Sequence, residues 1–114
     1  MSIDMQSLVR DVNELLILAC LRDGSKHGYQ IALDVESDSQ GMFSFQHGTL
    51  YPILHRLEKA GLIAGEWSSG GGRRRKEYGL TRRGRSTLEG RAETLGDVVA
   101  RLLQVVKGAE PEAV

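Results

Sequence analysis

The segment from His27 to Gly84 places an amphipathic helix immediately ahead of a glycine-tipped basic hairpin, and few folds accept that order. The helix is expected over about Gly48 to Ala60. Leu50, Ile53, Leu54 and Leu57 recur at helical spacing on one face, while Thr49, Tyr51, His55, Arg56 and Lys59 lie on or beside the other. Pro52 is tolerated if it falls in the first turn, where a missing N–H costs nothing. Lys59-Ala60-Gly61 is a stop, with a cation in the last turn and glycine after it. Leu62 to Trp67 and Glu77 to Leu80 read as two short strands joined through Ser68 to Gly72, and Arg73-Arg74-Arg75-Lys76 follow the glycine tip. A helix that can enter a duplex groove, beside a hairpin that can reach the flanking backbone, is a winged helix-turn-helix. The expected fold class is therefore mainly α with a small β-hairpin.

The rest of the chain supports that frame. Residues 1–7 are polar, without a period, and expected to be loosely ordered. A first helix is expected from Leu8 to Arg22, its inner stripe Leu8, Val12, Leu15, Leu16, Ala19 and Cys20, with Ile17, Leu18 and Leu21 on its other faces. A helix apolar nearly all round needs cover on more than one side, which implies a second chain. Gly24 serves as its left-handed stop. A second helix spans about His27 to Ser37, its inner stripe Tyr29, Ile31, Ala32 and Val35, and a loop follows from which Met42, Phe43 and Phe45 cover the core. Thr81 caps a final helix over 82–107, whose apolar residues keep a seven-residue beat: Leu88, Leu95 and Leu102, with Val98 and Val105, and Ala92, Val99 and Val106 beside them. Such a beat marks a helix that packs on another helix. Gly90 and Gly96 inside it suggest a close crossing or a bend. Residues 1–80 then form the winged helix-turn-helix, 81–107 the dimerisation helix and 108–114 a frayed tail.

The formal net charge is zero, but it is unevenly spread. Residues 1–54 carry three basic and seven acidic groups, 55–85 nine basic and three acidic, and 86–114 three basic and five acidic. Local positive potential binds phosphate, so the balance of +6 around the hairpin outweighs the neutral total. The sequence contains no long apolar run that could span a membrane, and Leu15 to Leu21 is too short and misplaced for a signal peptide. One cysteine cannot form an internal disulfide, which fits a cytoplasmic location, and Cys20 reads as a small core residue. His27, His47, His55 and Cys20 lack metal-ligand spacing, so neither a metal nor a cofactor is expected. The triple glycine lacks the Gly-Lys-Ser/Thr of a phosphate-binding loop, and no serine sits in a nucleophile elbow. An enzyme is not expected.

Three blocks in order carry a resemblance to a known family. His27-Gly28-Tyr29-Gln30-Ile31 is one. Gly48-Thr49-Leu50-Tyr51-Pro52 with His55-Arg56-Leu57-Glu58 and Gly61-Leu62-Ile63 is the second. Gly71-Gly72-Arg73-Arg74-Arg75-Lys76 with Tyr78, Leu80-Thr81 and Gly84 is the third. Over roughly residues 14–85 the chain resembles the PadR family of bacterial transcriptional regulators, in its short branch with a single C-terminal dimerisation helix. The resemblance implies a homodimer that represses an operator and releases it when an effector binds. Some members sense phenolic acids and others planar drugs. Leu95 stands about where drug-sensing members place a stacking tryptophan, and Gly79 where the family often has arginine.

The residues expected at duplex DNA are Tyr29, Thr49, Tyr51, His55, Arg56, Arg73, Arg74, Arg75 and Lys76, each with a plainer alternative. Tyr29 either donates to a phosphate or packs on the core. Thr49 either reads a base edge beside Tyr51 or caps the helix. Arg56 either grips a phosphate or pairs with a glutamate of its own chain. Strand alternation turns only about two of the four wing cations toward the duplex. The expected homodimer uses Leu88, Ala92, Leu95, Val98, Val99, Leu102, Val105 and Val106. A small, mostly apolar effector would sit between Leu15, Ala19, Leu95 and Val99, with Trp67 at the rim or in a structural role; the alternative is a closed seam. The rival functions are a winged-helix module that binds protein and an architectural DNA binder without sequence preference.

Overall fold

The computed structural model describes residues 4–68 and 74–108. Its elements run α1 (Met5–Cys20), β1 (Lys26–His27), α2 (Gly28–Asp38), α3 (His47–Lys59), β2 (Ile63–Ser68), β3 (Arg75–Leu80) and α4 (Arg82–Lys107). This is a mainly helical winged helix-turn-helix with one small antiparallel sheet, as the residue patterns require. Gly70, Gly71, Gly72 and Arg73 of the expected wing tip, and the tail 109–114, lie outside the described residues.

A single core gathers α1, α2, α3, the wing and the first half of α4. Ile17, Leu18, Ile31, Val35, Leu50, Leu54, Leu57, Ile63, Tyr78 and Leu88 are all buried in it. Because Leu88 and Gly84 of α4 lie inside it, the boundary expected at residue 81 does not divide two cores. In α1 the faces are exchanged relative to expectation. Ile17, Leu18 and Leu21 are the deepest, while Leu8, Val12, Leu16, Ala19 and Cys20 of the expected inner stripe are only half-buried. The helix also starts at Met5, inside the stretch expected to be loose, with the Ser7 hydroxyl donating to Asp4. It stops at Cys20 through a turn at Leu21–Asp23. Gly24 has φ 157°, well away from the left-handed well, so it is not the stop residue.

The two-residue strand β1 is too short to leave an alternation in the sequence. It pairs Lys26 with Tyr78 and His27 with Glu77, giving the sheet order β1-β3-β2. β1 runs directly into α2, so the start of α2 is tied to the wing. Lys26 Nζ reaches Asp34 Oδ2 at 2.5 Å and Cys20 Sγ at 3.5 Å, joining β1, α2 and α1. Burial pushes the Cys20 thiol above its ordinary range. On α2, Ile31 and Val35 face the core, but Tyr29 is exposed, and in the following loop Met42 is exposed while Phe43 and Phe45 pack inward. Ser39 shapes that loop, its Oγ accepting from the Phe43 N–H at 3.0 Å.

α3 ends as expected. Gly61 adopts φ 80°, Leu62 N donates to Leu57 O, and Gly61 N to Glu58 O, the paired bonds of a glycine-terminated helix. Its start is one residue early, at His47. Pro52 therefore lies in the second turn, and the carbonyl its missing N–H leaves unserved is that of exposed Gly48, where water can reach. Thr81 roots α4: its hydroxyl donates to the Gly61 carbonyl at 2.7 Å and accepts the Gly84 N–H at 2.9 Å. At the far end Gly108, expected in the frayed tail, is an ordered left-handed cap whose N–H bonds to Gln104 O. A Cβ added at Gly90 or Gly96 would meet no other described part of the chain within 4 Å beyond the helix's own backbone, and α4 runs through both unbroken.

Candidate nucleic-acid interface

The start of α2, the start of α3 and the wing enclose an open groove of about 730 Å³. Its floor and walls are His27, Gly28, Tyr29, Tyr51, Trp67, Arg74, Arg75, Lys76 and Tyr78. Tyr29, Tyr51 and Trp67 are large aromatic side chains left exposed together on this one side. Exposed rings beside cations form a surface suited to sugar, base and phosphate.

Strand register sorts the wing. Trp67 stands opposite Lys76 and Gly65 opposite Tyr78, so Trp67, Lys76 and the buried Tyr78 share the face turned toward α3. Arg74 precedes β3 with the same parity as Lys76, and its guanidinium lies 4.8 Å from the Trp67 ring centre. Arg75 stands opposite Ser68 on the other face and reaches the groove from the edge. Lys76 is held within the chain: its Nζ bonds Glu58 Oε1 at 3.0 Å, and the Glu58 carboxylate keeps it protonated above its ordinary range. The second Glu58 oxygen accepts from Gly65 N at 3.3 Å, so this residue of α3 laces both wing strands to the helix. Sequence spacing gives no hint of Glu58, because its partners lie on a different element. His27 Nε2 lies 3.7 Å from Glu77 Oε2 on the neighbouring strand, and its buried Nδ1 has no hydrogen-bond partner among the described residues.

On α3, Thr49, Tyr51 and His55 are exposed. Gln46, not Thr49, occupies the cap position, with no side-chain bond there. Arg56 takes the second of its two expected roles. It bonds Glu14 of α1 at 3.1 Å, and Glu14 accepts Arg91 of α4 through its other oxygen at 3.2 Å. The Glu14 side chain is mostly buried under its two arginines, so three helices meet at one carboxylate.

The expected effector residues divide. Two hollows of about 470 and 230 Å³ lie between α1 and α4. Leu15 and Leu95 line both, Val98 lines the larger, and Ala19 and Ala92 the smaller; Val99 lines neither. Trp67 is removed from this region altogether, since it stands in the wing groove. The expected dimer residues divide too. Leu88 is only 1 % exposed because it fills the chain's own core, and Leu95 packs partly against it. From Val99 onward α4 leaves that core behind, exposing Val99, Leu102, Leu103, Val105 and Val106. Leu103, absent from the expected seam, is exposed beside these residues, because the apolar face is wider than a strict heptad reading allows. Among the described residues, no helix is long and apolar enough to cross a membrane.

Known proteins share both sequence and shape with this chain. A transcriptional regulator of Mycobacterium tuberculosis, Rv3488, is 32% identical over 99 residues, covering 87% of this chain and 90% of that one. A PadR family transcription regulator from Clostridium difficile superposes with a TM-score of 0.72 at 29% identity, over 82% of this chain and 96% of that one. Bacillus subtilis PadR, solved in complex with operator DNA, superposes with a TM-score of 0.64 at 30% identity, over 69% of this chain and 46% of that one. The model of the transcriptional regulator PadR-like family matches residues 17–90, which takes in α2, α3, the wing and the root of α4. The chain belongs to the PadR-like family of transcriptional regulators.

Proposed function

We propose that this chain is a sequence-specific DNA-binding repressor that grips an inverted-repeat operator as a homodimer. The observation that carries the reading is the single groove in which the first turns of α2 and α3 face a basic wing. α3 enters the major groove with Thr49 and Tyr51 at base edges, Tyr29 meets a phosphate, and Arg74 and Arg75 hold the flanking backbone. The Bacillus subtilis relative, solved in complex with operator DNA, supports DNA as the partner. The exposed apolar stretch of α4 from Val99 to Val106 supports the dimer, which would set two α3 helices about one helical turn apart, roughly 10 base pairs. The hollows between α1 and α4 suit a small, mostly apolar or phenolic effector whose binding shifts the two lobes apart.

Selection of bound sequences from random duplexes, followed by titration in rising salt, tests this. An inverted repeat should emerge, and affinity should fall steeply with salt. Thr49→Ala and Tyr51→Ala should relax base preference, whereas Arg74→Ala with Arg75→Ala should weaken all duplexes alike. Failure to bind any duplex in low salt would leave the wing as a dock for an acidic protein, and binding without preference would make the chain an architectural DNA protein.

A further inference from the structure

We infer that Trp67 is a backbone-contacting residue of the DNA interface, with Arg74 seated on its ring as the phosphate grip. This rests on the DNA-binding reading above. Trp67 is 59 % exposed, far more than an indole placed for packing, although the core lies just below it at Tyr78 and Ile63. It projects from β2 on the face turned to α3 and shares the groove with Tyr29 and Tyr51. The Arg74 guanidinium lies 4.8 Å and the Lys76 ammonium 5.8 Å from its ring centre. Lys76 is already committed to Glu58, so Arg74 is the cation the ring orients.

A guanidinium resting on an indole face keeps its N–H edge turned outward, ordered in advance for a phosphate. The indole itself combines a flat apolar surface, which fits a deoxyribose, with one N–H, which suits a phosphate oxygen. Wings of this fold approach the backbone beside the groove that the helix reads. Trp67 therefore contributes affinity without sequence preference, in contrast to Tyr51 across the groove.

Trp67 is the only tryptophan of the chain, so its fluorescence reports on this position alone. Acrylamide quenching of the full-length protein, free and saturated with duplex, should show the ring accessible and then shielded. Labelled-duplex anisotropy follows binding independently. Trp67→Ala should weaken operator and random duplex equally, by about two- to fivefold or more as befits a partly exposed cation–π pair. Trp67→Phe should recover part of the loss, with the thermal midpoint of both variants close to wild type. Binding in the anisotropy arm with unchanged quenching overturns the assignment and leaves the DNA reading standing. So does loss confined to the operator. Shielding that grows with protein concentration in the absence of DNA gives the ring to a chain–chain contact instead. No anisotropy change with any duplex removes both readings.

Discussion

The Tyr51 hydroxyl lies 2.8 Å from the place a Cβ on Gly28 would occupy, with the ring edge at 3.0 Å. Gly28 is the buried first residue of α2 and Tyr51 stands on the exposed face of α3. The glycine therefore makes room for an exposed side chain of the groove, not for one that holds the core.

Gly28→Ala tests this division. The added methyl meets the far end of a half-exposed side chain and no backbone atom, so the fold should survive with its thermal midpoint shifted by only a few degrees, the equivalent of under about 1 kcal/mol. Tyr51 should be displaced from the groove. The expected result is near-wild-type melting together with weaker discrimination between operator and random duplex; intact discrimination would show that Tyr51 tolerates the shift.

Gly84→Ala should behave in the opposite way. A Cβ at Gly84 would stand 1.9 Å from the Leu62 carbonyl oxygen, and backbone cannot step aside as a tyrosine can. The loss should be about 1–3 kcal/mol or more, seen by thermal or denaturant melting. The methyl of Gly90→Ala on the same helix would meet no other described part of the chain within 4 Å beyond the helix's own backbone. It should raise stability by about 1 kcal/mol through helix propensity. A loss there instead would place a partner helix against Gly90.

Lys26 and Asp34 give a pH signature. The Lys26 ammonium, and after it Gln30, holds the Asp34 carboxyl below its ordinary 3.8, so its stabilisation is complete above that value and disappears as pH falls through the lower folded value. The bond to Asp34 raises Lys26 above its ordinary 10.5, so its share is complete below 10.5 and lost as pH rises beyond it. The gap in thermal midpoint between wild type and Asp34→Asn should be constant through the neutral range and should narrow in acid. A gap that persists unchanged below pH 3.8 would show that the ion pair contributes nothing.

If the proposed homodimer forms through the end of α4, Leu102→Asp combined with Val106→Asp should give a folded monomer, since both residues are exposed in the single chain. A buried leucine contributes about 1.5–3 kcal/mol, and each change counts twice across a two-fold interface. Sedimentation equilibrium reads the outcome; a wild-type monomer at micromolar concentration would remove the two-fold model. Leu88→Asp, by contrast, should unfold the chain, because that residue belongs to the core.

α3 and the wing were legible because their patterns are local: Leu50, Ile53, Leu54 and Leu57 face inward at their own spacing, and Gly61 closes the helix without help from elsewhere. What escaped depends on partners distant in sequence. Arg56 has Glu14 for a neighbour, 42 positions away. Glu58 finds Lys76 across the groove. β1 exists only because β3 lies beside it. The heptad beat misassigned Leu88 because one periodic stripe serves two surfaces, the chain's own core near the root of α4 and an open face toward its end. For Trp67 the sequence leaves a structural role and the rim of a cleft both open, because hydrophobic size alone cannot say which side of a two-faced strand a ring occupies.

The Thr81 hydroxyl, bonded to Gly61 and Gly84, turns α4 into a lever fixed at the recognition helix. A helix of 26 residues reaches about 39 Å at 1.5 Å per residue, so a rotation of about 5° at its root sweeps the far end through about 3 Å. That sweep is close to one base-pair step along a duplex, about 3.4 Å. The same geometry works in reverse. In the proposed homodimer, a modest change in where the far ends of two such levers meet would reach the α3 helices as a mismatch of spacing, with no atom of the groove between α3 and the wing needing to move relative to its neighbours.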